Sequence, residues 1–167
     1  MPDAPYPPIR VQGPNPAYAE MMRSNMASAN SEMTAVAQYR FARLMSLDAD
    51  PYISNLFNKV SMVEMHHLDV FSRLALELGA EPRLWHCRNR RMEYWSPRHA
   101  NYAHCTVEDL IKAALEGEHA SIRKYECQLG CIADPHIAAL LRRVIEDERE
   151  HVKLWEEVLT TRASHPA

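Results

Sequence analysis

Two stretches of the chain share one pattern of apolar and polar positions. In the first, apolar side chains recur at Ile53, Leu56, Val60 and Val63, and again at Phe71, Leu74 and Leu78. In the second they recur at Ile137, Leu141 and Val144, then at Trp155 and Leu159. Steps of three and four residues predict amphipathic helices with one stripe turned to a core. Each stripe is broken in its middle by a Glu and a His three residues apart, Glu64 with His67 and Glu148 with His151. Residues three apart lie on one helix face, so each pair aims a carboxylate and an imidazole the same way. A carboxylate inside an apolar face must be paired or bound to a metal, because burying it alone costs several kcal/mol or forces it neutral.

The two stretches belong to an internal repeat. Glu32 is followed seven residues later by Tyr39, and Glu118 seven later by Tyr125. Asp50-Pro51 then matches Asp134-Pro135, and fourteen residues after each Asp stands the Glu of a Glu-x-x-His. The halves differ by two residues, between the Tyr and the Asp-Pro, where a loop belongs. Such self-similarity sets the architecture. The unit is a helical hairpin used twice, giving an all-α four-helix bundle. Each hairpin offers a lone Glu on its first helix and a Glu-x-x-His on its second. Together these make the candidate ligand set Glu32, Glu64, His67, Glu118, Glu148 and His151, the composition of di-iron and di-manganese carboxylate bundles. Hard carboxylate oxygens with two imidazoles suit two metal ions per chain, Fe or Mn, without selecting between them. Tyr39 and Tyr125 lie two turns from the lone Glu residues on the same faces. They read either as core tyrosines with satisfied hydroxyls or as groups supporting a ligand carboxylate by hydrogen bond.

Prolines place the boundaries. Pro16, Pro51 and Pro135 each follow Asn or Asp, an N-cap with Pro at the first helical position. The predicted helices run from Pro16 to Leu47, from Pro51 to Leu78 with Gly79 as the stop, from just after Thr106 to a stop at Gly130, and from Pro135 to about Thr161. Residues 1–14 hold five of the eleven prolines and read as an extended arm suited to lie along a partner subunit. Residues 15–161 form the bundle. The connection 80–106 is long for a hairpin loop and suits a crossover along a bundle of helices about 42 Å long. It carries Arg83, Arg88, Arg90, Arg91 and Arg98 among Trp85, Tyr94, Trp95 and Tyr102. Such a strap packs its aromatics on the bundle or a second subunit, or offers its basic cluster to an acidic redox partner. With the arm, it predicts a homodimer or a higher homo-oligomer.

Composition narrows the class. At 47% hydrophobic and 25% charged, the chain is an ordinary globular one. A net charge of −3 gives no electrostatic reason for nucleic-acid binding. No apolar run approaches membrane-span length and no signal peptide is visible, so the expected compartment is the cytoplasm. Cys87, Cys105, Cys127 and Cys131 form no Cys-x-x-Cys, so no rubredoxin-like site is encoded. They read as buried or half-buried thiols, with Cys127 and Cys131 four apart on one helix face.

From Asn15 to Leu159 the chain resembles the ferritin-like superfamily, and within it the rubrerythrin-like branch. The run Ala113-Ala114-Leu115-Glu116-Gly117-Glu118-His119 resembles the third helix of that family, and Glu146-Asp147-Glu148-Arg149-Glu150-His151-Val152-Lys153 its Glu-x-x-His helices. Tyr94-Trp95-Ser96 with Asn101-Tyr102 is similar to the corresponding stretch of manganese catalases and their short bacterial relatives. The resemblance implies a ferritin-like four-helix bundle in which Glu32 and Glu118 are terminal or bridging ligands. Glu64 and Glu148 would bridge the metals, and His67 and His151 would cap one metal each. It further implies an oxidoreductase reacting with hydrogen peroxide or O2, fed by an external electron-donor protein. The alternatives are catalase-like disproportionation at a dimanganese site and a non-enzymatic iron-storage or coat protein. Ser121 stands where rubrerythrins carry an additional Glu.

Overall fold

The computed structural model describes residues 5–103 and 106–164. Five helices carry the fold: α1 Pro16–Ala27, α2 Glu32–Ser46, α3 Pro51–Glu77, α4 Val107–Leu129 and α5 Pro135–Ser164. The helices α1 and α2 pack end to end along α3 as one arm of a bundle, and α4 pairs with α5. This is the four-helix, two-hairpin bundle of the repeat. The repeated caps take the expected form. Asp50 accepts from the Ile53 amide at 3.1 Å, and Asp134 from the His136 and Ile137 amides at 2.9 and 3.4 Å, each ahead of a Pro at the first helical position. Gly79 closes α3 at φ +89°, a conformation that favours a residue without Cβ.

The first helix is not continuous to Leu47. It ends at Ala27 and restarts at Glu32, because Ser28-Ala29-Asn30-Ser31 offers the backbone better partners than helix does. Ser28 turns extended, and the Ser31 hydroxyl caps α2 by accepting from the Thr34 amide at 3.4 Å. Lys124 of α4 locks the break, donating to the Ser24 and Asn30 carbonyls at 2.9 and 2.7 Å and to Ser28 Oγ at 3.2 Å. The break makes Glu32 the first residue of α2, where the helix dipole favours a negative charge.

The crossover holds a feature the periodicity did not predict, an antiparallel hairpin of β1 Trp85–Arg88 and β2 Arg91–Tyr94. Asn89 and Arg90 form its two-residue turn with φ of +51° and +62°, the primed geometry that suits the twist of paired strands. The hairpin lies on α1, with the Arg23 guanidinium 4.1 Å over the Trp85 ring. Trp95 donates to Thr34 Oγ1 at 3.0 Å, and Gln38 clasps the backbone of Asn101 with bonds of 2.7 and 3.0 Å. The strap therefore seats Trp85 and Trp95 on its own bundle, while Tyr94 stays exposed.

So does the described part of the arm. Ile9 and Val11 pack against the core, and the Gln12 amide donates to Asp134 Oδ2 at 2.7 Å. Cys87, Cys127 and Cys131 are exposed rather than buried, because β1 is a surface strand and Cys131 lies past the end of α4. The Cys127–Cys131 helix-face pairing therefore does not hold, and Cys105 lies outside the described residues. None of the described helices is long and apolar enough to cross a membrane.

The core has two parts. One gathers Met22, Met26, Phe71, Leu74, Leu140 and Leu141; the other Phe57, Val60, Ile111, Trp155 and Val158. A layer of buried carboxylates and imidazoles lies between them along α3 and α5, and it must have its own partners.

Candidate metal centre

All six candidate ligands converge in that layer, and none is more than 4% exposed. They form two overlapping groups, Glu32, Glu64, His67 and Glu148, and Glu64, Glu118, Glu148 and His151. Within each group, one ligand atom per residue lies within 4.8 Å of all the others. His67 Nδ1 faces Glu64 Oε2 at 3.1 Å, Glu148 Oε1 at 3.5 Å and Glu32 Oε2 at 3.8 Å. His151 Nδ1 faces Glu64 Oε1 at 3.0 Å, Glu148 Oε2 at 3.2 Å and Glu118 Oε1 at 3.5 Å. Glu64 and Glu148 thus turn one oxygen to each imidazole, while Glu32 and Glu118 each serve one. The helix register explains this: Glu64 and Glu148 are each fourteen residues past an Asp cap, so the repeat superposes them across the bundle axis.

The two tyrosines cross between hairpins. Tyr39 of α2 donates to Glu118 Oε1 of α4, and Tyr125 of α4 donates to Glu32 Oε1 of α2. Each hydroxyl therefore fixes the lone carboxylate of the other hairpin. Trp155 in turn donates to the Tyr39 hydroxyl at 3.0 Å. Burial and the adjacent carboxylates push both phenols well above their usual range, so they remain donors.

So many buried acids must share protons. Burial raises the Glu32 carboxyl to about 7, against the pull of His67, and raises Glu148 well above its ordinary value, helped by Glu64 and Glu118. Burial works to raise Glu64 as well, but the His151 and His67 rings hold it below the usual carboxylate range. Burial disfavours charge on both imidazoles, yet the carboxylates around them win and lift both well above 6.5. This donor set fits cations. Positive ions bound there would replace the shared protons and relieve four carboxylates held together out of water.

Sequence reasoning missed Asp147, Arg143 and Tyr6. Asp147, 1% exposed, stands 3.4 Å from His67 Nε2, pairs with Arg143 at 2.7 Å and accepts the hydroxyl of Tyr6 from the arm. Its signal was available, since Asp147 follows Val144 by three residues on the buried side and Arg143 precedes it by four. By contrast, His66, Glu116 and Glu150 stay off the buried layer.

A cavity of about 280 Å³ between α2 and α4 leads from the surface to Tyr39, Glu64 and Glu118. Its walls are small or neutral, including Asn30, Thr34, Gln38, Asn101, Gly117 and Ser121. At Gly117 a Cβ would meet nothing within 4 Å, so the wall is open there.

The sequence profile of the rubrerythrin family matches residues 25–159, which spans the site and both hairpins. The chain belongs to the rubrerythrin family. Solved structures of similar fold include a manganese catalase from Anabaena PCC7120, with a TM-score of 0.82 at 16% identity over 96% of this chain and 79% of that one. A Mycobacterium tuberculosis bacterioferritin matches with a TM-score of 0.75 at 18% identity over 92% and 90%. A Rhodobacter capsulatus bacterioferritin, described with a metal-free dinuclear site and haem iron, matches at 0.70 and 19% over 92% and 89%. These likenesses establish the ferritin-like fold of this rubrerythrin-family chain. No curated protein sequence matches it significantly.

Proposed function

We propose that this chain is a dimetal-carboxylate oxidoreductase acting on hydrogen peroxide or O2. The observation that carries this reading is the pair of four-residue groups sharing Glu64 and Glu148. Glu32, Glu64, His67 and Glu148 would hold one ion and Glu64, Glu118, Glu148 and His151 the other, Fe or Mn. Bound there, the two ions supply Lewis acidity and two one-electron redox steps. The protein's part is to fix the carboxylates through Tyr39 and Tyr125, to exclude bulk water with the two apolar cores, and to admit substrate by the cavity past Gly117. That cavity suits a small neutral hydrogen-bonding molecule such as peroxide. Ser121 keeps its wall neutral, and only Glu116 adds charge near the mouth.

An oxygen electrode tests the reading. The Mn-loaded protein is expected to evolve O2 from peroxide without a reductant. The Fe-loaded protein is expected to consume peroxide only while a donor re-reduces it, and this marks the need for an external electron-donor protein. Gly117→Leu fills the portal while improving helix propensity by about 0.5–1 kcal/mol. It is expected to lower kcat/KM for peroxide at least about tenfold, a barrier increase of about 1.4 kcal/mol, with metal content unchanged. If neither metal form consumes peroxide faster than the free ions, the oxidoreductase reading fails.

A storage or coat role is the second reading, favoured by the fold shared with bacterioferritins. It requires assembly into a shell. Tyr52, Met62, Met65 and Leu76 stay exposed along α3, which suits a homodimer or larger homo-oligomer. Light scattering at the mass of a dimer excludes the cage.

A further inference from the structure

The repeat is nearly symmetric at the site, but the outer edges of the two imidazoles are not alike. His67 Nε2 meets Asp147, which is held in turn by Arg143 at 2.7 Å and by the Tyr6 hydroxyl. Tyr6 is itself fixed, with the Arg143 guanidinium 4.4 Å over its ring and the His66 ring edge-on at 4.5 Å. The arm therefore supplies a partner to Asp147 on this side of the bundle, where Tyr6 and Asp147 also line a surface cavity of about 320 Å³. His151 Nε2, buried, has no hydrogen-bond partner among the described residues. Instead His151 lines a cavity of about 450 Å³ together with Leu56, Lys59, Val60 and Val63. The repeat explains the difference. Asp147 immediately precedes Glu148, and the residue immediately before Glu64 is Val63. An acid in the second hairpin serves the His of the first, and a valine stands where its counterpart would serve the His of the second.

Resting on the dimetal reading above, we propose that the two metal positions are unequal, and that the His67 position fills first and more tightly because Asp147, Arg143 and Tyr6 position its imidazole. A carboxylate on Nε2–H keeps Nδ1 free as the ligand atom, fixes the ring plane and makes the ring a stronger donor to a cation. The His151 ring has neither the orientation nor the polarisation. One feature opposes this ranking: Lys124 places positive charge near Glu32. That ammonium is shared among two carbonyls and a hydroxyl, whereas Asp147 lies against the ligand ring itself. Asp147 and Tyr6 are thus positioning residues, and Val63 marks the weaker position.

The test is a titration of the metal-free full chain with Mn(II) alone, read by calorimetry and by the EPR signal of free Mn(II). Two steps are expected in the wild type. Asp147→Asn is expected to weaken the first step about tenfold or more. Tyr6→Phe, which keeps the ring and loses only the hydroxyl, should weaken that same step several-fold. Val63→Asp is expected to strengthen the second step and bring the two together. Repulsion between ions at equal positions would also separate two steps, but then Asp147→Asn would leave the first unchanged and weaken the second, and that result overturns the inference. Equal weakening of both steps also overturns it, because a general structural loss would do that. Tyr6→Phe and Val63→Asp decide the matter if Asp147→Asn does not fold. Binding of one ion or none in the wild type refutes the dimetal reading itself, whereas two indistinguishable steps refute only the inequality.

Discussion

Replacing Glu148 or His151 by Ala is expected to lower the metal content of reconstituted protein from two ions per chain to one or fewer, while Glu150→Ala leaves it at two. The residues are neighbours in sequence, but α5 separates them by face. Glu148 is 1% exposed and turns an oxygen to each imidazole, so its loss removes a donor from both groups at once. His151 is 3% exposed and serves one group only, so its replacement should cost one ion before the other. Glu150 pairs with Lys153 at 2.6 Å toward solvent, an exposed contact that solvent screens. Elemental analysis after gel filtration decides it. Equal losses from all three variants would mean that the metals sit on another face of α5, and wild-type content of one ion or less would remove the dinuclear assignment.

Much of this arrangement was legible in the chain. The Asp-Pro caps and the fourteen-residue step to each Glu-x-x-His are local signals, and local signals survive folding unchanged. The lone Glu residues were legible only through the repeat, because one Glu on a helix carries no information until a second copy stands in the same place. The tyrosines' roles were half legible. Spacing set Tyr39 and Tyr125 on the right faces, but that each reaches the other hairpin's carboxylate depends on the packing of α2 against α4.

The misses have more than one cause. The break at Ser28–Ser31 depends on three small polar residues, Ser28, Asn30 and Ser31, whose preference for caps outweighs a helical pattern on both sides, and on Lys124 arriving from a helix almost a hundred residues later. The β1–β2 hairpin is eight residues around an Asn-Arg turn, too short for periodicity to register. Asp147 was given no role because its partners, His67 and Tyr6, are distant in sequence. Cys87 is exposed because its hairpin lies on the surface, Cys127 because it falls on the outer face of α4, and Cys131 because it lies just past the end of α4. Long-range partners decide the helix break and the role of Asp147, and a single sequence shows neither.

Metal-free protein should become less stable as pH rises from 5 to 8, and metal-loaded protein more stable. Take the metal-free state first. Glu32 is raised from 4.5 to about 7, and Glu148, His67 and His151 are all raised as well. A raised group binds its proton more tightly folded than unfolded. Its stabilising effect is complete below the unfolded value and disappears as pH climbs through the folded one. For Glu32 that loss spans about pH 4.5 to 7 and amounts to about 3 kcal/mol. The lowered acids, Glu64 and Asp147, act in the opposite sense, but their contribution is complete above their unfolded values of 4.5 and 3.8 and stays constant across this window. Lys124, lowered to about 8 by burial, adds stability only as pH rises from about 8 toward 10.5, above the window. Metal reverses the slope. Its ligands must be deprotonated, so each unit of pH favours binding, and an ion at a hundred times its Kd adds about 2.7 kcal/mol. Thermal melts of chelator-treated and Mn-loaded protein at pH 5, 6, 7 and 8 should therefore diverge, with the gap in Tm widest at pH 8. A metal-free Tm that stays level or rises between pH 5 and 8 would show that the buried carboxylates do not share protons as this geometry requires.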